Sequence, residues 1–153
     1  MSRIFTCISN IDACIVDKMN IQIQTIPHEK QRYDTLGDWF HVKLCYQHNG
    51  EEAKERTMIR VTDLGDDRYN FLIAFHELVE MALCHERGIS SGDVDNFDLS
   101  FEGHGEPGDH PACPYFREHQ FAMMMEKIMA HELGVDWQEY NKRCESIEHG
   151  YSG

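Results

Sequence analysis

A chain of 153 residues is the size of one domain and can bury about 70% of the surface its unfolded form exposes. Its 27 acidic residues against 14 basic ones give a net charge of -13, which argues against nonspecific binding to a phosphate backbone, since that needs clustered Lys and Arg. No run of about 18 apolar residues occurs, so no helical membrane span is expected.

The six cysteines (Cys7, Cys14, Cys45, Cys84, Cys113, Cys144) include no C-x-x-C pair. They read as reduced thiols of a cytoplasmic protein rather than a disulfide framework. The N-terminal stretch IFTCISNIDACIV is broken by Asn10 and Asp12 and has no small-residue cleavage site, so it is a poor signal peptide. A single domain spanning 1–153 is expected, in which residues 1–20 are an N-terminal extension of undecided structure.

Strands are expected over residues 21–64. Ile21 to Ile26, IQIQTI, alternates apolar and polar residues as a half-buried strand does and stops at Pro27. HEKQRYDTLG is polar and reads as a connecting loop. Trp39 to Tyr46, WFHVKLCY, is rich in β-formers, and QHNGEEAKE follows with an Asn49-Gly50 turn signal. Thr57 to Leu64, TMIRVTDL, puts Met58, Arg60 and Thr62 on one face and Ile59, Val61 and Asp63 on the other. These strands are expected to form a small antiparallel sheet.

A long helix is expected over 68–87, stopped by Gly88. Its apolar stripe of Leu72, Phe75, Val79, Ala82 and Leu83 should face the core, with His76 and Glu80 at the stripe's border. Residues 88–114 form a long Gly-Pro-rich loop carrying His104, Glu106, Asp109 and His110, with a short helix around Asp93 to Phe101. Helices return over 115–147. The first, Tyr115 to Leu133, carries apolar residues on nearly every side and should be extensively buried. After Gly134, Asp136 and Glu139 form a capping-box pattern for a final short helix, and the tail HGYSG should fray. Strands first and helices second indicate the α+β class.

The centre of the first long helix carries the chemistry. In FLIAFHELVEMALC, His76 and Glu80 stand at i and i+4, one turn apart on one face, and Glu77 projects beside them. A histidine and a carboxylate that converge can hold a metal, and a neighbouring glutamate is the residue type that takes a proton from a water at such a metal. A further ligand must come from elsewhere. His119 stands on the otherwise apolar second helix, with Glu126 two turns on along the same face. Glu118, Asp109 and His110 are weaker candidates. His85 should lie at the surface and Cys84 in the core, while Cys113 lacks the partner cysteine of a deaminase zinc site.

The strand TMIRVTDL followed by the HELVE helix resembles the H-E-x-x-H zincins, in which two histidines bind zinc and the glutamate between them is the general base. The chain departs from that pattern at Glu80, which stands where the second histidine would be. The residues IPHEKQRYDTLGDW, RVTDLGDDRYNFLIAFHELVEMALC, GEPGDHPACPYFREH and ELGVDWQEY also make the span from about Ile21 to Tyr140 similar to a family of small, uncharacterised phage and prophage proteins. That resemblance implies a phage-type origin, a bacterial host cytoplasm and a metal-site helix pair.

The resulting expectation is a metal-dependent, peptidase-like hydrolase with one divalent ion, zinc by preference. His76, Glu80 and His119 would be ligands and Glu77 the catalytic base, acting on a peptide or another small amide. Two readings compete with it. Glu77, Glu80, Glu118 and Glu126 could hold magnesium for nucleotide pyrophosphate hydrolysis. Alternatively, the chain could be a non-enzymatic phage accessory protein that binds a host protein.

Overall fold

A computed structural model describes residues 20–44, 54–103 and 105–148. The expectations for the N-terminal extension, the Asn49-Gly50 turn, His104 and the tail HGYSG fall outside these residues. The described part is a small α+β fold in which a sheet packs against helices.

The strands β1 (Ile21–Ile26), β2 (Gly37–Leu44) and β3 (Lys54–Thr62) lie in the order β1-β3-β2. β2 and β3 pair antiparallel, as expected, with Trp39 opposite Ile59. β1 differs: it pairs parallel to β3, with Ile23 opposite Ile59, so the sheet is mixed rather than wholly antiparallel. The alternation of IQIQTI encodes a strand but not its neighbour, and β3 takes the centre because it carries Ile59 and Val61, both fully buried. β1 is an edge strand of which only Ile26 is fully buried; Ile23 stays 51% exposed, against the half-buried strand its pattern suggested.

The segment between β1 and β2 is more than a connecting loop. Its 3-10 turn at His28–Lys30 leads into side chains that tie it to the end of β3, where His28 Nδ1 and Gln31 Nε2 each lie 3.1 Å from the buried Thr62 Oγ1. Arg32 makes a two-pronged bond to the buried Asp38 carboxylate (2.6 and 2.7 Å) and reaches Asp95 at 2.8 Å. These bonds fold Leu36 and Gly37 back over the sheet edge, towards the first long helix.

Four α-helices follow among the described residues: α1 (Asp67–Glu86), α2 (Ser91–Ser100), α3 (Phe116–Glu132) and α4 (Trp137–Glu148). Asp66 caps α1 by accepting from the Arg68 N–H. The buried face of α1 is Leu72, Ile73, Ala74, His76, Glu80, Met81 and Cys84, while Phe75, Val79 and Leu83 are half-buried and Ala82 is exposed. The stripe read from the sequence is therefore rotated, and His76 and Glu80 lie within the buried face rather than at its border. The reason is that α1 is packed by the sheet on one side and by α3 on the other, so apolar spacing alone does not select one face. α3 departs from expectation in the opposite sense, with Phe121, Met124 and Ile128 exposed. The polar segment after α1 holds α2, started by a capping box: the Ser90 side chain accepts from Asp93 N–H and the Asp93 carboxylate accepts from Ser90 N–H. At α4, Asp136 accepts from the N–H groups of Gln138 and Glu139, the cap its sequence indicated. No helix among the described residues is long and apolar enough to cross a membrane.

Candidate metal centre

α1 and α3 lie against each other with His76 and Glu80 facing His119 and Glu126, all four side chains buried. Three nitrogen and oxygen atoms converge. His76 Nε2 lies 3.2 Å from His119 Nδ1, His119 Nδ1 lies 2.9 Å from Glu80 Oε2, and His76 Nε2 lies 3.4 Å from the same oxygen. A tetrahedral zinc ion bonded at about 2.0–2.1 Å holds its donor atoms about 3.3 Å apart. The triangle's edges, 2.9 to 3.4 Å, bracket that separation. Among the described residues, these three side chains are the group that could hold a metal ion.

Two of the donors are held by a hydrogen bond from behind, and a carboxylate stands behind the third. His76 Nδ1 donates to Glu126 Oε2 at 2.9 Å, and Glu126 Oε1 in turn accepts from the Tyr140 hydroxyl. Glu80 Oε1 accepts from the Trp39 indole N–H at 3.2 Å, which leaves Oε2 for the centre. His119 turns Nδ1 inward, and its buried Nε2, which makes no hydrogen bond, faces Asp109 Oδ1 at 3.5 Å. Asp109 is itself held by the Gln120 amide at 2.8 Å. The Glu126 carboxylate draws the His76 ring proton to the outer nitrogen and leaves Nε2 facing the shared centre, and Asp109 places a negative charge on the outer side of the His119 ring. Glycine makes two of these approaches possible, since a Cβ at Gly108 would collide with the His119 ring and one at Gly37 with the Glu77 carboxylate.

The electrostatics of the metal-free centre follow from this packing. Burial disfavours a charged His76, but its bonds to Glu126 and Glu80 outweigh that and hold its pKa well above the ordinary histidine value. Burial acts the same way on His119, and the Asp109 and Glu80 carboxylates raise it to about 9. Burial pushes Glu80 up, yet the two histidines win and bring it down to about 2. Glu77 has no such partner. Burial and the neighbouring Glu80 charge push its carboxyl well above the usual range. A divalent cation at the three donors acts on Glu77 in the opposite direction, favouring its ionised form.

A cavity of about 360 Å³ opens on this centre. Glu77, His76 and His119 form its polar end, and Ile73, Met123 and Trp137 line an apolar part. Glu106 and Asp109 reach it from the Gly-Pro segment and Leu36 and Gly37 from the folded-back loop, so both irregular segments shape its mouth.

The sequence candidates thus separate into distinct positions. His76, Glu80 and His119 come together. Glu126 and Asp109 stand behind the histidines rather than among the donors. Glu118 is buried on another side of α3 and pairs with Arg87. His110 is exposed, and its ring packs near Phe97 and Phe101. His85 is exposed and Cys84 buried, as expected; burial raises the Cys84 thiol above its ordinary value. Among the described residues, Cys84, Cys113 and Cys144 take part in no disulfide. Trp39 and Tyr140 were not found by sequence reasoning. Trp39 is the third residue of β2 and meets α1 only through the folded sheet, and Tyr140 follows the Asp136 cap by one helical turn; neither relation shows as a spacing around the motif.

Comparisons with family models, with curated proteins and with solved structures find no match, so the chemistry of the centre rests on its own residues.

Proposed function

We propose that the protein is a metal-dependent hydrolase of peptide or amide bonds, with one zinc ion held by His76 Nε2, Glu80 Oε2 and His119 Nδ1. The observation that carries this reading is the triangle of inward-facing donor atoms, with His76 held from behind by Glu126, Glu80 by Trp39, and Asp109 standing behind His119. Two imidazoles and one carboxylate form a known catalytic zinc set and suit zinc better than magnesium, which prefers oxygen donors. The carboxylate set imagined for magnesium does not gather, because Glu118 is paired with Arg87. The HELVE helix keeps the zincin order of ligand, glutamate and ligand, with a carboxylate as the second ligand.

A bound zinc supplies Lewis acidity and lowers the pKa of a water next to it. The residues of the chain do the rest. Glu77 accepts the proton of the attacking water and returns it to the leaving amine. Gly37 leaves room for its carboxylate, and the apolar wall of Ile73, Met123 and Trp137 receives a substrate side chain. The second ligand being anionic makes the centre a weaker electrophile than a two-histidine zincin site, so slow turnover is expected.

The test is hydrolysis of a peptide and amide panel by zinc-loaded protein, compared with Glu77→Gln. Removing the base should lower turnover by at least about 100-fold while zinc affinity stays near that of the wild type. Absence of hydrolysis by zinc-loaded wild type across the panel overturns the hydrolase reading.

A further inference from the structure

Tyr140 and Glu126 form a chain of hydrogen bonds that ends on His76 and crosses three helices. Tyr140 belongs to α4, Glu126 to α3 and His76 to α1. The Tyr140 hydroxyl donates to Glu126 Oε1, and Glu126 Oε2 accepts from His76 Nδ1 at 2.9 Å. Tyr140 is 1% exposed and Glu126 5%, so the chain of bonds is buried. The ring of Tyr140 is seated independently of its hydroxyl, edge-on to Tyr69 and tilted on Trp137 at centroid distances of 5.2 and 5.3 Å. α4 is fixed at one further point, where Arg143 Nε donates to the Leu64 carbonyl at 3.0 Å.

Resting on the metal reading above, we propose that Tyr140 and Glu126 are positioning residues that couple the docking of the C-terminal helix α4 to metal affinity at His76. When α4 is seated, the Tyr140 hydroxyl orients Glu126, and Glu126 holds His76 with its proton on Nδ1 and its Nε2 lone pair aimed at the centre. When α4 lifts away, Glu126 becomes a buried carboxylate missing one partner, and His76 loses the group that fixes its ring and tautomer. Residues behind a metal ligand typically alter affinity by about 10- to 100-fold. Linkage makes the effect reciprocal: a metal that binds better with α4 seated must also hold α4 down. The same helix contributes Trp137, Tyr140, Asn141 and Cys144 to the cavity wall. One helix therefore shapes the substrate space and sets the affinity of the metal beneath it.

The experiment uses the full chain after removal of metal, with wild type, Tyr140→Phe and Glu126→Gln. Zinc affinity is measured by competition with a chromophoric chelator. The visible spectrum of the cobalt-loaded protein reports the ligand field, and amide exchange of residues 137–148 is followed with and without zinc. Circular dichroism of the metal-free forms verifies the fold. Tyr140→Phe keeps the ring packing, so a purely structural role would leave affinity and the cobalt spectrum unchanged. The expected result is a zinc affinity lower by roughly 10-fold for Tyr140→Phe and by roughly 10- to 100-fold for Glu126→Gln. An altered cobalt spectrum and zinc-induced protection of α4 that shrinks in Tyr140→Phe are expected with it. Folded variants with wild-type affinity and spectrum, beside a wild type that binds zinc, overturn the coupling and leave the metal reading standing. A wild type that binds no zinc overturns both.

Discussion

Glu80→Gln separates the charge of the central carboxylate from its shape. Glutamine keeps an oxygen to accept from the Trp39 indole but removes the negative charge facing both histidines. In chelator-treated protein those histidines and Glu80 form buried ion pairs. His119 rises from 6.5 to about 9 against the cost of burial, through Asp109 and Glu80. A rise of that size corresponds to about 3 kcal/mol of folding stability. Because the folded pKa is raised, this contribution is complete below the unfolded value and disappears as the pH climbs through the folded one. Glu80, lowered from 4.5 to about 2, describes the same pairs from the acid side and is counted once. Its contribution is present above 4.5 and is lost as the pH falls through about 2. Asp109 supplies part of the His119 shift, so removing the Glu80 charge should cost less than the whole. Urea denaturation of metal-free wild type and Glu80→Gln should show the variant less stable by about 2 kcal/mol near pH 6, with the gap closing by about pH 10. A gap that is equally wide at both pH values, or a variant as stable as wild type near pH 6, refutes the ion-pair account.

Two further outcomes follow from the parts around the centre. Gly37→Ala drives a methyl group into the Glu77 carboxylate, so hydrolysis should fall by about 10-fold or more while zinc affinity holds, as read by kinetics and chelator competition on one preparation. Arg32→Leu leaves the Asp38 carboxylate, 3% exposed, without its cation. With Arg32 partly exposed and the Tyr33 hydroxyl still donating to Asp38, it should cost about 2 kcal/mol in urea denaturation, in the range for a buried group that loses one partner.

How much of this was legible in the sequence depended on the range of the interaction. His76 and Glu80 were readable because one helix fixes their spacing, and the Asp136 cap because its bonds span two and three residues. His119 was readable as a polar residue out of place on an apolar helix. The roles of Glu126 and Asp109 were not, because which carboxylate is a ligand and which stands behind one depends on how α1 and α3 are rotated against each other. Trp39 could not be joined to Glu80 because the pairing is 41 residues apart in the chain. The parallel pairing of β1 was hidden for a similar reason: strand alternation fixes faces, whereas strand order depends on the loop that Arg32 and Gln31 fold back. The short helix expected around Asp93 to Phe101 is α2, and the Ser90-x-x-Asp93 capping box places its start at Ser91.

The central claim is the metal itself, and zinc-edge X-ray absorption on protein purified without chelator tests it most directly. The expected spectrum is one zinc per chain with nitrogen and oxygen neighbours at about 2.0–2.1 Å, two imidazole signatures and no sulfur, lost in His76→Ala and in His119→Ala. A folded wild type without zinc, or zinc bound through sulfur, contradicts it.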